Sequence, residues 1–184
     1  MGESFDYVLR KFKRPPAIRQ LVGILFLILL AIAGKPAGAG SVILGSLLTI
    51  PGLAIRFWAG GYVKKDKELA TTGPYSYVRN PLYVGNVLIA IGFCVLSGFW
   101  WSYLVFALLY VWLYIPSIQR EERTLQKLFG DTFLRYKDNV RAMWPRLTPY
   151  ESGAGGWSAA QWVKNGEHIV NGGIVIAFLV LCFR

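Results

Sequence analysis

A polar segment with chemically capable side chains interrupts an otherwise apolar chain. It runs from residue 73 to residue 86 and reads GPYSYVRNPLYVGN. A second polar stretch lies downstream and contains the adjacent carboxylates Glu121 and Glu122. Both stretches adjoin long apolar blocks, where charged groups are costly unless they bind a partner. The two stretches together predict a functional site.

Asn80 and Pro81 have the residue types that begin a helix. Asn is a favoured N-cap, and Pro suits the first helical position because it has no N–H group to leave unpaired. A helix N-terminus directs free N–H groups and a positive dipole end outward, so this one can hold a carboxylate or a phosphate. Tyr75, Arg79 and Tyr83 lie close to it in sequence. By itself, the same pattern also describes a well-capped membrane helix.

Glu121 lies on the apolar stripe of a predicted helix, three residues after Ile118. A carboxylate at such a position needs a partner. One interpretation is an internal ion pair with Arg120, Arg123 or Arg79. The other is a carboxylate that binds the ammonium group or the ribose hydroxyls of a ligand.

The composition indicates a membrane protein. Of 184 residues, 54% are hydrophobic and only 16% are charged. The apolar residues form five blocks, at 21–33, 41–55, 82–101, 103–118 and 169–183. About 20 residues cross a bilayer, and most blocks reach that length with their flanks. We therefore predict an all-α, polytopic membrane helix bundle of about five transmembrane helices, in which the last block either spans the membrane or lies along its interface.

The charges predict an orientation and a class of partner. The net charge is +10, and eighteen of the twenty basic residues fall on one side of the predicted spans. The positive-inside rule makes that side, and the N-terminus with it, cytoplasmic. Basic residues that flank membrane spans are typical of contact with lipids, so we expect membrane lipids and no nucleic acid. The single histidine and two cysteines inside apolar blocks predict neither a metal site nor a disulfide.

The chain divides into five segments on these patterns. They are a basic cytoplasmic arm at 1–20, a first transmembrane hairpin at 21–58, a cofactor-binding core with a second hairpin and a cytoplasmic helix at 59–148, a linker at 149–166 and a C-terminal transmembrane helix at 167–184. The cytoplasmic helix is expected to bend near Gly130.

The two polar stretches resemble a known group of membrane enzymes. GPYSYVRNPLYVGN, followed by EERTLQKLFGDTFLRY and Pro145, is similar to the isoprenylcysteine carboxyl methyltransferase and phospholipid N-methyltransferase superfamily. The usual pattern reads Gly-x-Tyr-x-x-x-Arg-His-Pro-x-Tyr, then a Glu pair before Phe-Gly-x-x-(Phe/Tyr)-x-x-Tyr. The resemblance covers residues 56–146, and the two halves together are more specific than either half alone.

The resemblance implies an integral membrane enzyme with a cytoplasmic-side pocket for S-adenosylmethionine. The acceptor would be lipidic, prenylcysteine-like or otherwise amphipathic, and no metal is implied. Matched by position, the cofactor-binding residues would be Lys67, Glu68, Leu69, Ala70, Tyr75, Asn80, Pro81, Leu82, Tyr83 and Glu121. Arg79 matches the motif arginine and would lie near the acceptor.

The chain departs from the pattern at two positions. Asn80 takes the place of the usual His. Asn keeps the ability to form hydrogen bonds, but it has no titratable group. Ser117 occupies a position, one turn before the Glu pair, where carboxyl-methylating members tend to carry Arg. Arg120 can substitute from the next turn to orient an acceptor at Ser117.

Methyl transfer from a sulfonium mainly needs alignment and the exclusion of water. A carboxylate acceptor is already nucleophilic, and Arg79 or Arg120 would orient it. An amine acceptor needs a base, for which Glu122 is the nearby candidate. We favour O-methylation of a carboxylate. The alternatives are phospholipid amine N-methylation, an NADPH-dependent relative of the sterol reductases, and a non-catalytic membrane scaffold of the same fold.

Overall fold

The computed structural model describes residues 15–63, 68–150 and 156–183. Their regular elements are all helical, which confirms the predicted all-α class. The helices are α1 (Pro15–Ala33), α2 (Ala39–Gly60), α3 (Pro81–Ser97), α4 (Trp101–Leu109), α5 (Ile115–Asn139), α6 (Ala159–Lys164) and α7 (Glu167–Cys182). A 3-10 turn occupies Gly73–Ser76, and a π-helical turn at Tyr110–Tyr114 joins α4 to α5.

Two helical stretches are long and apolar enough to cross a membrane. They are Ala39–Gly60 and the helical stretch Trp101–Asn139, which comprises α4, the π-helical turn and α5. Shorter apolar helices cover Arg19–Ala33, Pro81–Ser97 and Glu167–Cys182. Many large apolar side chains on the outer faces are exposed, among them Leu21 and Leu47 at 56% and 64%, and such wide exposure suits contact with lipid. The number of spans and the side of the membrane remain predictions.

Helices α2 and α3 pack closely because glycines line their contact. A Cβ atom built on Gly52 would lie 2.8 Å from the carbonyl oxygen of Gly85, and one on Gly92 would lie 2.8 Å from that of Gly45. Small residues of this kind let the backbones of membrane helices approach each other. The contact also presses Arg56 against α3, since a Cβ on Gly85 would lie 2.7 Å from the Arg56 Cγ.

The polar segment 73–80 is held by the chain that follows α5. Four backbone hydrogen bonds join the two stretches, from Arg79 to Arg141, from Asn80 to Ala142, from Arg146 to Tyr77 and from Tyr150 to Ser76, at 2.8–3.2 Å. The Tyr136 hydroxyl donates to the Tyr75 carbonyl at 2.7 Å. We call this set of contacts between residues 73–80 and 136–150 the clasp. Phe133, Tyr136 and Val140 form a small buried cluster beneath it. The two halves of the sequence motif are therefore in physical contact.

The helices begin at residues that differ from the edges of the predicted segments, which stay predictions. Helix α1 begins at Pro15, so part of the predicted arm 1–20 is helical, while residues 1–14 lie outside the described residues. The predicted linker contains the short helix α6, which begins because the Ser158 hydroxyl accepts a hydrogen bond from the Gln161 N–H. The bend in α5 at Gly130 is confirmed: its φ of 50° and ψ of −127° suit glycine.

Candidate functional site

A cavity of about 1000 Å³ is lined by residues of α1 to α5, of α7 and of the 68–75 segment. Pockets for small molecules and cofactors usually hold about 300–1000 Å³. Predicted residues that line it are Glu68, Leu69, Ala70, Tyr75, Arg79, Asn80, Leu82, Tyr83, Ser117, Arg120, Glu121 and Glu122. Pro81 is buried behind the lining, and Lys67 lies outside the described residues. Side chains from three separate stretches thus meet at one cavity.

Glu121 contacts Tyr83 in the wall of this cavity. The Tyr83 hydroxyl donates to the Glu121 carboxylate at 2.8 Å. Arg19 from α1 binds the same carboxylate at 3.1 Å and donates to the Tyr83 hydroxyl. Its guanidinium carbon lies 4.7 Å from the centre of the Tyr83 ring. One of the two interpretations offered Arg120, Arg123 or Arg79 as the partner of Glu121. In the structure the arginine that binds Glu121 comes instead from α1, 102 positions away.

Arg79 and Glu122 form a more enclosed ion pair. Arg79 donates to Glu122 at 2.8 Å and to the backbone carbonyls of Lys137 and Val140 at 2.6 and 2.9 Å. The Lys137 ammonium lies 3.0 Å from the second oxygen of Glu122. Arg79 therefore binds the C-terminal end of α5, where a cation is favoured.

This geometry bears on two predicted roles, which stay predictions. Both oxygens of Glu122 are engaged in ion pairs, so the position does not favour the role of a base. Both terminal nitrogens of Arg79 are likewise engaged, so the position does not favour orientation of an acceptor by this residue. Its Nε is buried without a hydrogen-bond partner.

Asn80 occupies the N-cap position of α3, and Pro81 is at the first helical position as predicted. The prediction that the Asn80 side chain caps the helix is wrong. Its amide nitrogen donates to the Ala142 carbonyl at 3.2 Å, while the Tyr83 N–H bonds to the backbone oxygen of Asn80 at 3.0 Å. The loop after α5 brings that carbonyl within reach, so the side chain joins the clasp instead of the helix.

Tyr75 lies in the wall of the cavity and is buried. Burial raises the pKa of its phenol well above the usual value, and the nearby charges of Glu167 and Glu121 raise it further. Like any tyrosine hydroxyl at neutral pH, that of Tyr75 is protonated and able to donate a hydrogen bond.

Ser117 and Arg120 are neighbours on α5. Arg120 is exposed and donates to the Ser117 hydroxyl at 3.1 Å, and Ser117 donates to the Leu113 carbonyl at 2.6 Å. Both residues line the cavity. A role for Arg120 in orienting an acceptor remains a prediction.

A second polar cluster, which the sequence analysis missed, surrounds Arg56. The Arg56 guanidinium binds the Glu167 carboxylate at 2.6 Å and the Asn171 side-chain oxygen at 3.3 Å, and it also donates to the Asn86 side-chain oxygen. Arg56 is only 5% exposed. The available signals were an arginine directly after an apolar block and two polar residues, four apart, at the start of the last block.

The sequence model of the phospholipid methyltransferase family matches residues 35–132. The chain belongs to this family. The matched region includes α2, α3 and the Glu pair, and it leaves α1 and α7 outside. Membership confirms the superfamily that the two polar stretches resemble. Together with the two candidate spans, it supports an integral membrane protein.

Three curated proteins are similar to parts of the chain. The protein-S-isoprenylcysteine O-methyltransferase of Schizosaccharomyces pombe is 40% identical over 76 residues, 41% of this chain and 32% of the relative. The cobalt-zinc-cadmium resistance protein CzcN of Cupriavidus metallidurans is 35% identical over 97 residues, 52% of this chain and 44% of the relative. The nickel-cobalt-cadmium resistance protein NccN of Alcaligenes xylosoxydans xylosoxydans is 32% identical over 115 residues, 58% of this chain and 54% of the relative.

The similar regions therefore span about a third to about a half of these relatives. No solved structure is significantly similar to the chain.

Proposed function

We propose that this chain is an integral membrane methyltransferase that uses S-adenosylmethionine and acts on a lipidic acceptor. The observation that carries the proposal is the hydrogen bond between Tyr83 and Glu121 in the wall of a large cavity. These two residues come from the two halves of the family motif. Their meeting supports a shared ligand, since a cavity with a few convergent polar groups is the usual form of a cofactor site.

The lining of the cavity fits S-adenosylmethionine. The carboxylate of Glu121 suits an ammonium group or ribose hydroxyls, the protonated Tyr75 hydroxyl suits a hydrogen-bond acceptor, and Leu69 and Leu82 offer apolar surface to a ring. The volume of about 1000 Å³ leaves room for part of an acceptor beside it. The bound cofactor would supply an electrophilic methyl group on its sulfonium.

The protein would contribute binding, orientation and the exclusion of water. Glu121 has a side chain that is 48% exposed, so exchange of Arg19 for a ligand group costs little there. Farther into the cavity, Phe26, Leu27 and Ile89 form an apolar wall that suits the hydrocarbon part of an acceptor.

Within this function we favour O-methylation of a carboxylate. A carboxylate acceptor needs no base, whereas both oxygens of Glu122 are engaged and position 80 carries Asn instead of a titratable His. Prenylcysteine-like molecules and other carboxylated amphiphiles fit this chemistry.

N-methylation of an amine headgroup is a second candidate. The rings of Tyr83 and Tyr114 lie 5.8 Å apart at a steep angle, and with Glu121 they surround the guanidinium of Arg19. Aromatic faces beside a carboxylate also recognise ammonium groups. An amine headgroup would then take the place that Arg19 occupies.

We also propose five spans with a cytoplasmic N-terminus and a pocket on that side, which rests on the distribution of basic residues. A topology reporter fused after residue 184 tests the odd number of spans. An extracytoplasmic signal is expected, and a cytoplasmic signal would place the last apolar block along the interface.

The activity is tested with purified protein, methyl-labelled S-adenosylmethionine and a membrane lipid extract. We expect label in an amphiphile, with loss of incorporation in Glu121→Gln and retention in Asp138→Asn, a matched control at an exposed acid of the same helix. Release of labelled methanol by alkali indicates an ester, and alkali-stable label indicates a methylamine. Label in no lipid, prenylcysteine or small amphiphile would contradict the proposal.

A thermal-shift comparison separates the remaining alternatives. S-adenosylhomocysteine should stabilise the protein and NADPH should not, because only a ligand that binds the folded state raises the Tm. Stabilisation by NADPH alone would favour a reductase. Stabilisation by neither, together with no label transfer, would favour a scaffold.

A further inference from the structure

The Arg56 cluster has an environment that is unusual for a charge in a membrane helix. Arg56 lies in α2, one of the two candidate spans, and it is held by Asn86 of α3 and by Glu167 and Asn171 of α7. Charged side chains within membrane helices are expensive, and they commonly mark a ligand or ion site. Arg56, Asn86 and Glu167 also line the large cavity.

The Arg56 cluster has hydrogen-bond donors beyond those that bind these protein partners. A guanidinium has five N–H groups, and three of those of Arg56 donate to these protein partners. The side-chain nitrogen of Asn171 is buried and has no hydrogen-bond partner. Because the partners fix the planar guanidinium from two helices, its remaining donors are oriented in advance for a planar or tetrahedral oxyanion.

The charge of the cavity favours the same class of ligand. Among the described residues, its lining includes six basic side chains and four acidic ones, so the net charge of the wall is positive. Asn86 lies one helical turn beyond Tyr83, and the apolar residues Ile89 and Phe106 lie in the same wall. An amphiphile with an anionic group at Arg56 and a hydrocarbon part along this wall therefore matches the lining.

We propose that Arg56 binds the carboxylate or phosphate group of an amphiphile, with Glu167, Asn86 and Asn171 as positioning residues. The assignment of this amphiphile as the methyl acceptor rests on the proposed function, but its binding does not. The proposal makes α7, which lies outside the family match, part of the binding site.

Calorimetric titration of the purified full chain in a neutral sugar detergent tests the proposal. The probes are dodecanoate, dodecyl phosphate and dodecanol, which share one chain length and differ in the head group. At least one anion should bind about tenfold more tightly than dodecanol, because a charge-assisted hydrogen-bond pair is lost with the alcohol. The anion that binds more tightly distinguishes a carboxylated acceptor from a phosphorylated one.

Variants assign the preference to the cluster. The double variant Arg56→Met with Glu167→Leu replaces the ion pair by apolar side chains, which is commonly tolerated by the fold, and it should bind all three probes alike. Arg56→Lys should retain only part of the preference, since an ammonium does not offer a planar fork. Thr49→Val, at a buried hydroxyl without a partner, and Arg135→Gln, at an exposed cation, are matched controls that should retain it.

Binding of S-adenosylhomocysteine in the same samples separates the two proposals. Anion preference without binding of S-adenosylhomocysteine would support the Arg56 site and count against the methyltransferase. Binding of S-adenosylhomocysteine with no anion preference in the wild-type chain, or with a preference that survives in the double variant, would overturn the Arg56 site alone.

Discussion

Two ion pairs face the same cavity in different surroundings. The Arg19 and Glu121 side chains are 13% and 48% exposed and lie 3.1 Å apart, whereas those of Arg56 and Glu167 are 6% and 9% exposed and lie 2.6 Å apart. An exposed pair contributes little to stability, and its members can change partners. A buried pair cannot be separated without leaving an uncompensated charge. The Arg19–Glu121 pair is therefore suited to exchange with a ligand group, and the Arg56–Glu167 pair is suited to a rigid part of the cavity wall.

The largest expected effect follows from breaking the buried pair. Glu167→Leu leaves the Arg56 charge without its carboxylate, and we expect a loss of about 3–5 kcal/mol in the free energy of unfolding. Denaturation in mixed micelles measures it. The control is the double variant with Arg56→Met, which should be close to the wild type. Wild-type stability of the single variant would show that the pair is not buried as described.

A smaller effect is expected from the helix contact that presses Arg56 against α3. In Gly52→Ala the new methyl group would lie 2.8 Å from the Gly85 carbonyl oxygen, so the helices must separate, at a cost of about 1–3 kcal/mol. Gly172→Ala is the matched control, because a Cβ there meets no atom within 4 Å. Equal stability of the two variants in the same denaturation assay would contradict the close packing.

A smaller loss of stability is expected from a change in the clasp between residues 73–80 and the chain that follows α5. Tyr136→Phe removes the hydrogen bond to the Tyr75 carbonyl and leaves a buried acceptor unpaired, which costs roughly 1–2 kcal/mol. Hydrogen exchange should increase at residues 75–80, while α2 and α3 keep their protection. Uniform loss of protection throughout the chain would argue that the clasp is not a local unit.

The smallest effect on stability is expected at the exposed pair. Glu121→Gln, at the half-exposed member of the pair, should lower the free energy of unfolding by less than about 1 kcal/mol. Under the proposed function, however, Glu121→Gln should weaken the binding of S-adenosylhomocysteine by about tenfold, because a charge-assisted hydrogen bond is lost. A large loss of stability without any change in binding would reverse the comparison between the two pairs.

Much of the local structure was predictable because local rules govern it. Long apolar blocks predicted membrane helices, Pro81 marked the start of α3, and Gly130 marked the bend in α5. Twelve predicted site residues line one cavity. They were predictable because each was matched by position to the sequence pattern of the family. The roles of Arg79 and Glu122 were less predictable, since the same residue types serve in ion pairs and in catalysis.

The sequence alone determined the helical class, the membrane character and the two polar stretches, because periodicity, hydropathy and residue order are local properties. Only the tertiary structure decided which charged side chains form ion pairs with each other. Arg19 reaches Glu121, and Arg56 reaches Glu167, over separations of 102 and 111 positions. Such partners depend on how helices pack, and the glycine-lined contact of α2 with α3 sets that packing by steric approach, which neither charge nor spacing along the chain reveals.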